Sequence, residues 1–277
     1  MKPAPFEYLC AADTEAALAL IAGPADGPST KVCGGTQSLG PMLNLRLASV
    51  DRLVDVSRIP ALLEAGLHDE VLRIGAAVTH ASIEDGALPD VTLGMLPAVA
   101  AGIAYRAVRN RGTLGGSLAH ADPRADWVST MCLLDAGLRL RGPGGERCVR
   151  ATDFFVGPFT TVLCDNEVLV AVDVPRFSPG ARWAYRKTCR KPGEFAEAIG
   201  AAWVDPGRGV ARALIGSLDR MPLVIDGEAA IAALAEDDAM ARVLDDAGLD
   251  DAYGRQVHRV MLRRALADLG RAPGVGA

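Results

Sequence analysis

The chain has 277 residues, half of them hydrophobic and only 5% aromatic, with a formal net charge of −5. Such a length builds two globular domains, or one large domain with an appendage, while the acidic balance and scarce aromatics argue against a nucleic-acid partner. The longest apolar run, Met95 to Tyr105, is too short for a bilayer, and the start MKPAPFEYLC lacks the apolar stretch of a secretory signal, so a cytoplasmic protein without a transmembrane segment is expected.

In chain order, Pro5 to Leu9 reads as a strand. A helix from Ala16 to Ile21 follows, with Asp13 or Thr14 as its N-cap, and Gly23-Pro24 and Gly27-Pro28 stop it. Thr30 to Cys33 is a short strand that runs into Gly34-Gly35, Met42 to Leu47 resumes apolar character, and Leu53 to Val56 is another strand, which makes a small βαβ-like unit. It is not a P-loop, because Pro41 stands where the lysine must be, and no GxGxxG opens a helix here.

Val71 to Ala76 reads as a strand, and Thr79 as the cap of a helix through Ile83 and Glu84. Met95 to Ala104 and Trp127 to Leu134 read as buried helices. Gly137 to Arg141 and Glu146 to Val149 form a hairpin around Gly142-Pro143-Gly144-Gly145, Asp153 to Pro158 a loop whose aromatics seal a core edge, and Glu167 to Val174 a strand ended by Pro175. Phe177-Ser178-Pro179-Gly180 has linker composition. Beyond it, Ala181 to Thr188, Ala198 to Val204 and Ala211 to Ile215 suggest three strands, and helices are expected at about 228–235, 239–246 and 252–269. Arginines 255, 259, 263 and 264 in the last helix read as a solvated face, and Pro273 to Ala277 as a frayed end.

Cysteines 10, 33, 132, 148, 164 and 189 form no CxxC pair and read as free thiols. The four histidines form no HExxH pair; His120 with Asp122 is either part of a metal site or a loop histidine near a ligand. Thr113-Leu114-Gly115-Gly116-Ser117, between Arg109 and Arg111 on one side and Asp122 and Asp126 on the other, reads as a ligand loop or as a tight Gly-Gly hairpin. Adjacent glycines let consecutive N–H groups face one concavity and let an anion approach the backbone. Cys33-Gly34-Gly35-Thr36-Gln37-Ser38 repeats the arrangement, and two such loops could hold the two ends of one long ligand.

With both glycine segments and their surroundings, the chain resembles the FAD-binding medium subunit of molybdenum hydroxylases. This is the family of aerobic carbon monoxide dehydrogenase, of the flavin domain of xanthine dehydrogenase and of bacterial hydroxylases of N-heterocycles. The residues that carry the resemblance are Gly34 to Leu39 with Pro41 to Asn44, Arg46 and Leu47; then Ile74-Gly75-Ala76 with Val78-Thr79-His80; then Arg109 through Pro123, of which TLGGSLAHADP is the most specific part.

The resemblance implies an α+β protein. Residues 1–176 would form a two-subdomain FAD-binding domain of the vanillyl-alcohol oxidase-like (PCMH) type, divided at about 1–57 and 58–176. Residues 181–277 would form a C-terminal domain of the carbon monoxide dehydrogenase flavoprotein type, with a three-stranded antiparallel sheet and a helix bundle. It implies that Cys33, Gly34, Gly35, Thr36, Gln37 and Ser38, together with Thr113, Gly115, Gly116 and Ser117, hold the FAD pyrophosphate and nearby groups. Asp126 would bind ribityl or sugar hydroxyls, and Leu169 and Lys187 would stand near the isoalloxazine. Ile103 occupies a position where some relatives carry an aromatic ring near the flavin.

The chain itself would hold no metal and no catalytic residue. A large molybdopterin subunit and a small subunit with two [2Fe-2S] clusters would complete a heterotrimer or a dimer of heterotrimers, with this chain passing electrons to a final acceptor. The substrate of the assembly would be an N-heterocycle, an aldehyde or carbon monoxide. Two alternatives stand beside this reading: a self-contained flavin oxidase of the vanillyl-alcohol oxidase type, with flavin linked through His120 or His80, and a flavin-storing domain without redox turnover.

Overall fold

The computed structural model describes residues 2–23 and 26–270. Pro24 of the expected helix stop and Pro273 to Ala277 of the expected frayed end lie outside the described residues.

Strand β1 (Glu7–Cys10) leads into helix α1 (Thr14–Ile21), and Asp13 is its cap, accepting from Ala16 N at 2.7 Å. Strand β2 (Thr30–Cys33), helix α2 (Leu39–Asn44) and strand β3 (Arg52–Asp55) follow. The three strands pair in parallel in the order β1-β3-β2, so Cys10, Asp55 and Cys33 stand in one row at the carboxyl ends. Helix α2 was not expected from the sequence. Pro41 falls in its first turn, where an amide has no intrahelical acceptor and proline is tolerated.

A one-turn helix α3 (Pro60–Leu63) precedes strands β4 (Ala65–His68) and β5 (Val71–Gly75). Five helices come next: α4 (His80–Glu84), α5 (Met95–Ala101), α6 (Arg106–Arg109), α7 (Leu114–His120) and α8 (Asp126–Leu134). Strands β6 (Gly137–Gly142) and β7 (Gly145–Arg150) form the expected hairpin. The expected loop at 153–158 is instead a one-turn helix α9 (Ala151–Phe154) followed by a ribbon of β8 (Phe155–Gly157) and β9 (Thr160–Thr161), with Phe154 and Phe155 buried. Strand β10 (Val168–Pro175) completes an antiparallel sheet ordered β4-β5-β10-β6-β7.

Strands β11 (Arg182–Thr188), β12 (Ala198–Asp205), β13 (Val210–Gly216) and β14 (Leu223–Asp226) form a third, antiparallel sheet in chain order. The sheet has four strands rather than the expected three. Leu223-Val224-Ile225 is a short apolar run directly after Met221-Pro222, and only its pairing with Arg212 to Ile215 makes it a strand. Helices α10 (Glu228–Ala233), α11 (Asp237–Asp246) and α12 (Ala252–Leu269) end the described chain. Arg255 and Arg263 do not simply face solvent: they pair with Asp245 and Asp237 of α11.

Helix α8 is the centre of this arrangement, with all nine of its residues buried. The largest core cluster joins Leu72 and Ile74 of β5, Val172 of β10, and Trp127 and Met131 of α8 to Ile199, Ala201 and Leu214 of the third sheet. That continuity fixes the N-terminal end of α8, and with it Asp126, against strand β11. Among the described residues no helix is long and apolar enough to cross a membrane.

Candidate cofactor site

The two glycine segments meet at one seam rather than standing at two ends of a ligand. A Cβ on Gly35 would lie 1.9 Å from the Arg111 carbonyl oxygen and 2.8 Å from Gly112 Cα, and one on Gly34 would lie 2.8 Å from Thr113 Oγ1. Gly35 is glycine because another backbone occupies the space a side chain needs. His80 N donates to Gly112 O at 2.9 Å, and Thr79 and Thr113 form an isolated antiparallel bridge, so the starts of α4 and α7 brace the seam from the other side.

The amides of the two segments are used differently. Thr113 to Ser117 is the cap and first turn of α7, not a loop. Its N–H groups are committed: Leu114 donates to Val78 O, Gly115 to Ala76 O, Gly116 to Thr113 Oγ1 and Ser117 to Thr113 O, at 2.9–3.1 Å. Gly115 owes its missing Cβ to Ala76, whose Cβ would be 2.5 Å from an added one, whereas Gly116 is exposed and a Cβ there would meet only Thr113 Oγ1, at 2.7 Å.

In the first segment, by contrast, the six consecutive N–H groups of Gly34, Gly35, Thr36, Gln37, Ser38 and Leu39 have no acceptor among the described residues. Thr36 sits at φ +57°, the left-handed turn that lets successive N–H groups converge. Gln37 does not point its amide outward but donates to Gly35 O at 2.9 Å, holding the loop's shape. These amides lie at the carboxyl ends of the parallel strands, where ligands of such sheets sit. A run of unfilled donors suits a pyrophosphate, so the donor set fits FAD at this end.

Cys33, at the base of the loop, is buried, and burial with Asp55 and Cys10 nearby pushes its thiol up to about 12. It is a protonated wall, not a nucleophile. Asp55 is held by the Tyr8 hydroxyl and by Ser57 N.

A second cluster lies where α8 meets β11. Lys187 Nζ donates to Asp126 Oδ1 at 2.8 Å, to Asp126 Oδ2 at 3.0 Å and to Gly102 O at 2.7 Å, which uses all three of its hydrogens. Tyr185 OH donates to Asp126 Oδ1 at 2.8 Å. Burial first, and then the Asp126 charge, raise the Tyr185 phenol well above its ordinary range. Asp126, buried, therefore already binds two groups of the chain, and any further hydroxyl competes for the capacity left on Oδ2.

Ile103 is half-buried against the main core beside this cluster, while Leu169 is buried within β10 next to a bulge at Val170, whose carbonyl accepts from Ala76 N at 2.9 Å. Thus Cys33 to Ser38 and Thr113 to Ser117 converge, Ile103, Asp126 and Lys187 form a second group, and Leu169 lies in the core.

Sequence reasoning missed several participants. Tyr185 was findable, since it is two residues before Lys187 on a strand and shares its face. Arg109 flanks the second glycine segment and opens the stretch that carries the resemblance, but the sequence assigns it no partner; it binds both oxygens of Glu84 at 2.7 and 2.8 Å and donates to the Ile103 and Ala104 carbonyls at 2.8 and 3.0 Å. No local signal joins it to Glu84. His80, considered above as an attachment point for flavin, is buried with Nδ1 accepting from Trp127 Nε1 at 3.0 Å, and His120 rests its ring on Phe159 at 5.2 Å.

The chain is similar to known proteins over most of its length. Residues 4–177 match the model of the FAD binding domain in molybdopterin dehydrogenase. The chain is 37% identical over 202 residues to the 6-hydroxypseudooxynicotine dehydrogenase complex subunit alpha of Paenarthrobacter nicotinovorans, covering 73% of this chain and 67% of that one. It is also 37% identical over 198 residues to the carbon monoxide dehydrogenase medium chain of Hydrogenophaga pseudoflava, covering 72% and 68%. The solved structure of carbon monoxide dehydrogenase from Hydrogenophaga pseudoflava, in a form lacking the Mo-pyranopterin moiety of its cofactor, superposes with a TM-score of 0.82 at 32% identity, covering 96% of this chain and 98% of that one. The chain belongs to the family of FAD-binding oxidoreductase subunits of the molybdenum hydroxylases.

Proposed function

We propose that this chain is the FAD-binding, electron-transferring medium subunit of a molybdenum-containing hydroxylase or dehydrogenase. The observation that carries the reading is the run of six unfilled amides from Gly34 to Leu39, seated against the cap of α7 at the carboxyl end of a parallel sheet. Bound FAD would supply both one- and two-electron redox chemistry at a single centre.

The chain's residues bind and orient. Gly34, Gly35, Thr36, Ser38 and Leu39 would offer amides to the pyrophosphate, with Cys33 as the floor and Gln37 as the brace. Exposed Gly116 and the Ser117 hydroxyl would line the opposite wall. Asp126 would reach a hydroxyl of the cofactor with Oδ2, and Lys187, fixed by Asp126 and Gly102, would hold a positive charge near the flavin ring beside Ile103. Leu169 would contribute through packing.

In this reading residues 1–176 form a FAD-binding domain of the vanillyl-alcohol oxidase-like type, with subdomains at about 1–57 and 58–176, and residues 181–277 a second domain closing over the flavin. A large molybdopterin subunit would oxidise the substrate and a small subunit with two [2Fe-2S] clusters would relay electrons, in a heterotrimer or a dimer of heterotrimers. The names of the relatives, which include a carbon monoxide dehydrogenase, a 6-hydroxypseudooxynicotine dehydrogenase complex and a glyceraldehyde dehydrogenase, support carbon monoxide, an N-heterocycle or an aldehyde as the substrate class.

Titration of the deflavinated chain with FAD, followed by absorbance, tests the binding role. One equivalent should bind. A Gly35→Ala chain that is folded and binds FAD as tightly as the parent would remove the loop from the site.

A further inference from the structure

We infer that Arg109 is a positioning residue for the cofactor site, acting through the Gly102–Ala104 turn on Lys187. The inference rests on the flavin reading of Lys187 given above and deepens it.

Lys187 stands where it does because three acceptors surround its ammonium, and one of them, Gly102 O, belongs to the turn that ends α5. That turn is not held by its own hydrogen bonds alone. Ile103 N donates to Ala100 O, and the chain then passes through Ala104 at φ +42°, a conformation an alanine rarely adopts without support. The support is Arg109. Its Nη1 donates to both the Ile103 and Ala104 carbonyls, and Nε and Nη2 grip the Glu84 carboxylate from α4.

The Arg109 side chain is only 11% exposed, and the Glu84 carboxylate it grips is 18% exposed. Glu84 is itself held from the solvent side by Arg106 Nη1, at 2.8 Å. A planar guanidinium can satisfy two carbonyls and a carboxylate at once, because its five donors leave one plane in fixed directions. An ammonium at the same place cannot. The arrangement therefore ties α4 to the turn, and the turn to the lysine that β11 brings from 85 residues further along the chain. Among the described residues the hydrogen bonds of Arg109 go to Glu84 and to the Ile103 and Ala104 carbonyls, not to the amide cradle or Lys187, so its effect on the cofactor passes through the position of the Gly102 carbonyl.

A double-mutant cycle on the full chain tests this, with FAD as the probe and two readouts, the dissociation constant and the reduction potential of the bound flavin. Arg109→Lys keeps the charge and loses the fork. It should weaken FAD binding by about tenfold and shift the potential in the parent background, yet change either by less than about twofold when Lys187→Met has already removed the ammonium, since residues that act through one another are not additive.

If Arg109→Lys does not purify folded, Glu84→Gln takes its place in the cycle, because it frees one side of the same fork. Equal effects of the Arg109 or Glu84 substitution in both backgrounds, with FAD still bound, would overturn the positioning role and leave the flavin reading intact. A parent chain that binds no FAD would overturn the flavin reading, and this inference with it.

Discussion

Trp127 donates its indole N–H to Nδ1 of His80 at 3.0 Å. The bond requires an acceptor at Nδ1, so the neutral tautomer with the proton on Nε2 is the one present. Burial, and secondarily the Arg109 charge, lower the His80 pKa from 6.5 to about 4. An unfolded chain binds a proton at this histidine below pH 6.5, whereas the folded chain does not until about pH 4. Stability is therefore fully present above pH 6.5 and lost as the pH falls from 6.5 to 4, by an amount on the order of 3 kcal/mol from this residue. Urea midpoints at pH 7 and pH 4.5, compared between the parent and His80→Gln, isolate that contribution. The variant should lose less stability across the window than the parent; an equal loss would place the titration elsewhere.

Gly115 and Gly116 should separate fold from binding. Gly115→Ala pushes a methyl into Ala76, which cannot retreat because its carbonyl holds the Gly115 amide. A cost of about 2 kcal/mol in stability is expected from such overpacking. At Gly116 an added Cβ meets only the Thr113 cap hydroxyl, so Gly116→Val should cost about 1 kcal/mol in stability. If the exposed face of Gly116 is where the pyrophosphate lies, the second variant should be folded and colourless. Melting temperature and flavin content, measured on the same preparations, decide; a stable Gly115→Ala or a fully yellow Gly116→Val contradicts the assignment.

Asp126 should matter more to folding than a cofactor contact alone implies. It holds both Lys187 and Tyr185 in a cluster where its own side chain is 6% exposed and that of Lys187 16%. Asp126→Asn leaves the lysine charge with neutral carbonyl acceptors and no counter-charge, and breaking a buried pair in this way costs about 3 kcal/mol or more. Adding Lys187→Met removes the stranded charge and should restore part of the loss. Chemical denaturation of the two variants measures this, and a double variant no more stable than Asp126→Asn would show that the pair is not the cause.

The parts legible in the sequence were those with a local signal. Gly34-Gly35 after an apolar run marks the end of β2, and Thr79 and Asp13 announce their helices because a capping side chain lies three residues from the amide it binds. The first turn of α7 was not legible. Two glycines disfavour a helix by about 1 kcal/mol each, and what overrides them is tertiary: the Ala76 and Val78 carbonyls accept the Gly115 and Leu114 amides.

The proposed cofactor residues rest on the TLGGSLAHADP resemblance, whereas their partners within the chain have no such signal. Lys187 and Asp126 are 61 residues apart, and Arg109 and Glu84 are 25 apart, so neither pairing leaves a trace in local pattern.

The division of labour in the proposed complex gives the last test. The six cysteines contain no CxxC pair of the kind that holds an iron–sulfur cluster, the His80 ring accepts from Trp127, and the His120 ring lies 5.2 Å from that of Phe159. In the proposed reading the cradle of amides, the fixed lysine and the buried acid hold the redox cofactor, and substrate activation belongs to the partner subunits. The purified FAD-loaded chain, mixed anaerobically with each candidate substrate, should therefore keep its visible flavin absorbance. Adding the molybdopterin and [2Fe-2S] subunits should bleach it within the turnover time of the complete enzyme. Rapid bleaching by this chain alone would assign substrate oxidation to it and favour the self-contained oxidase. Persistence of the colour in the full assembly, with substrate consumed, would mean that electrons leave the complex without passing through this subunit.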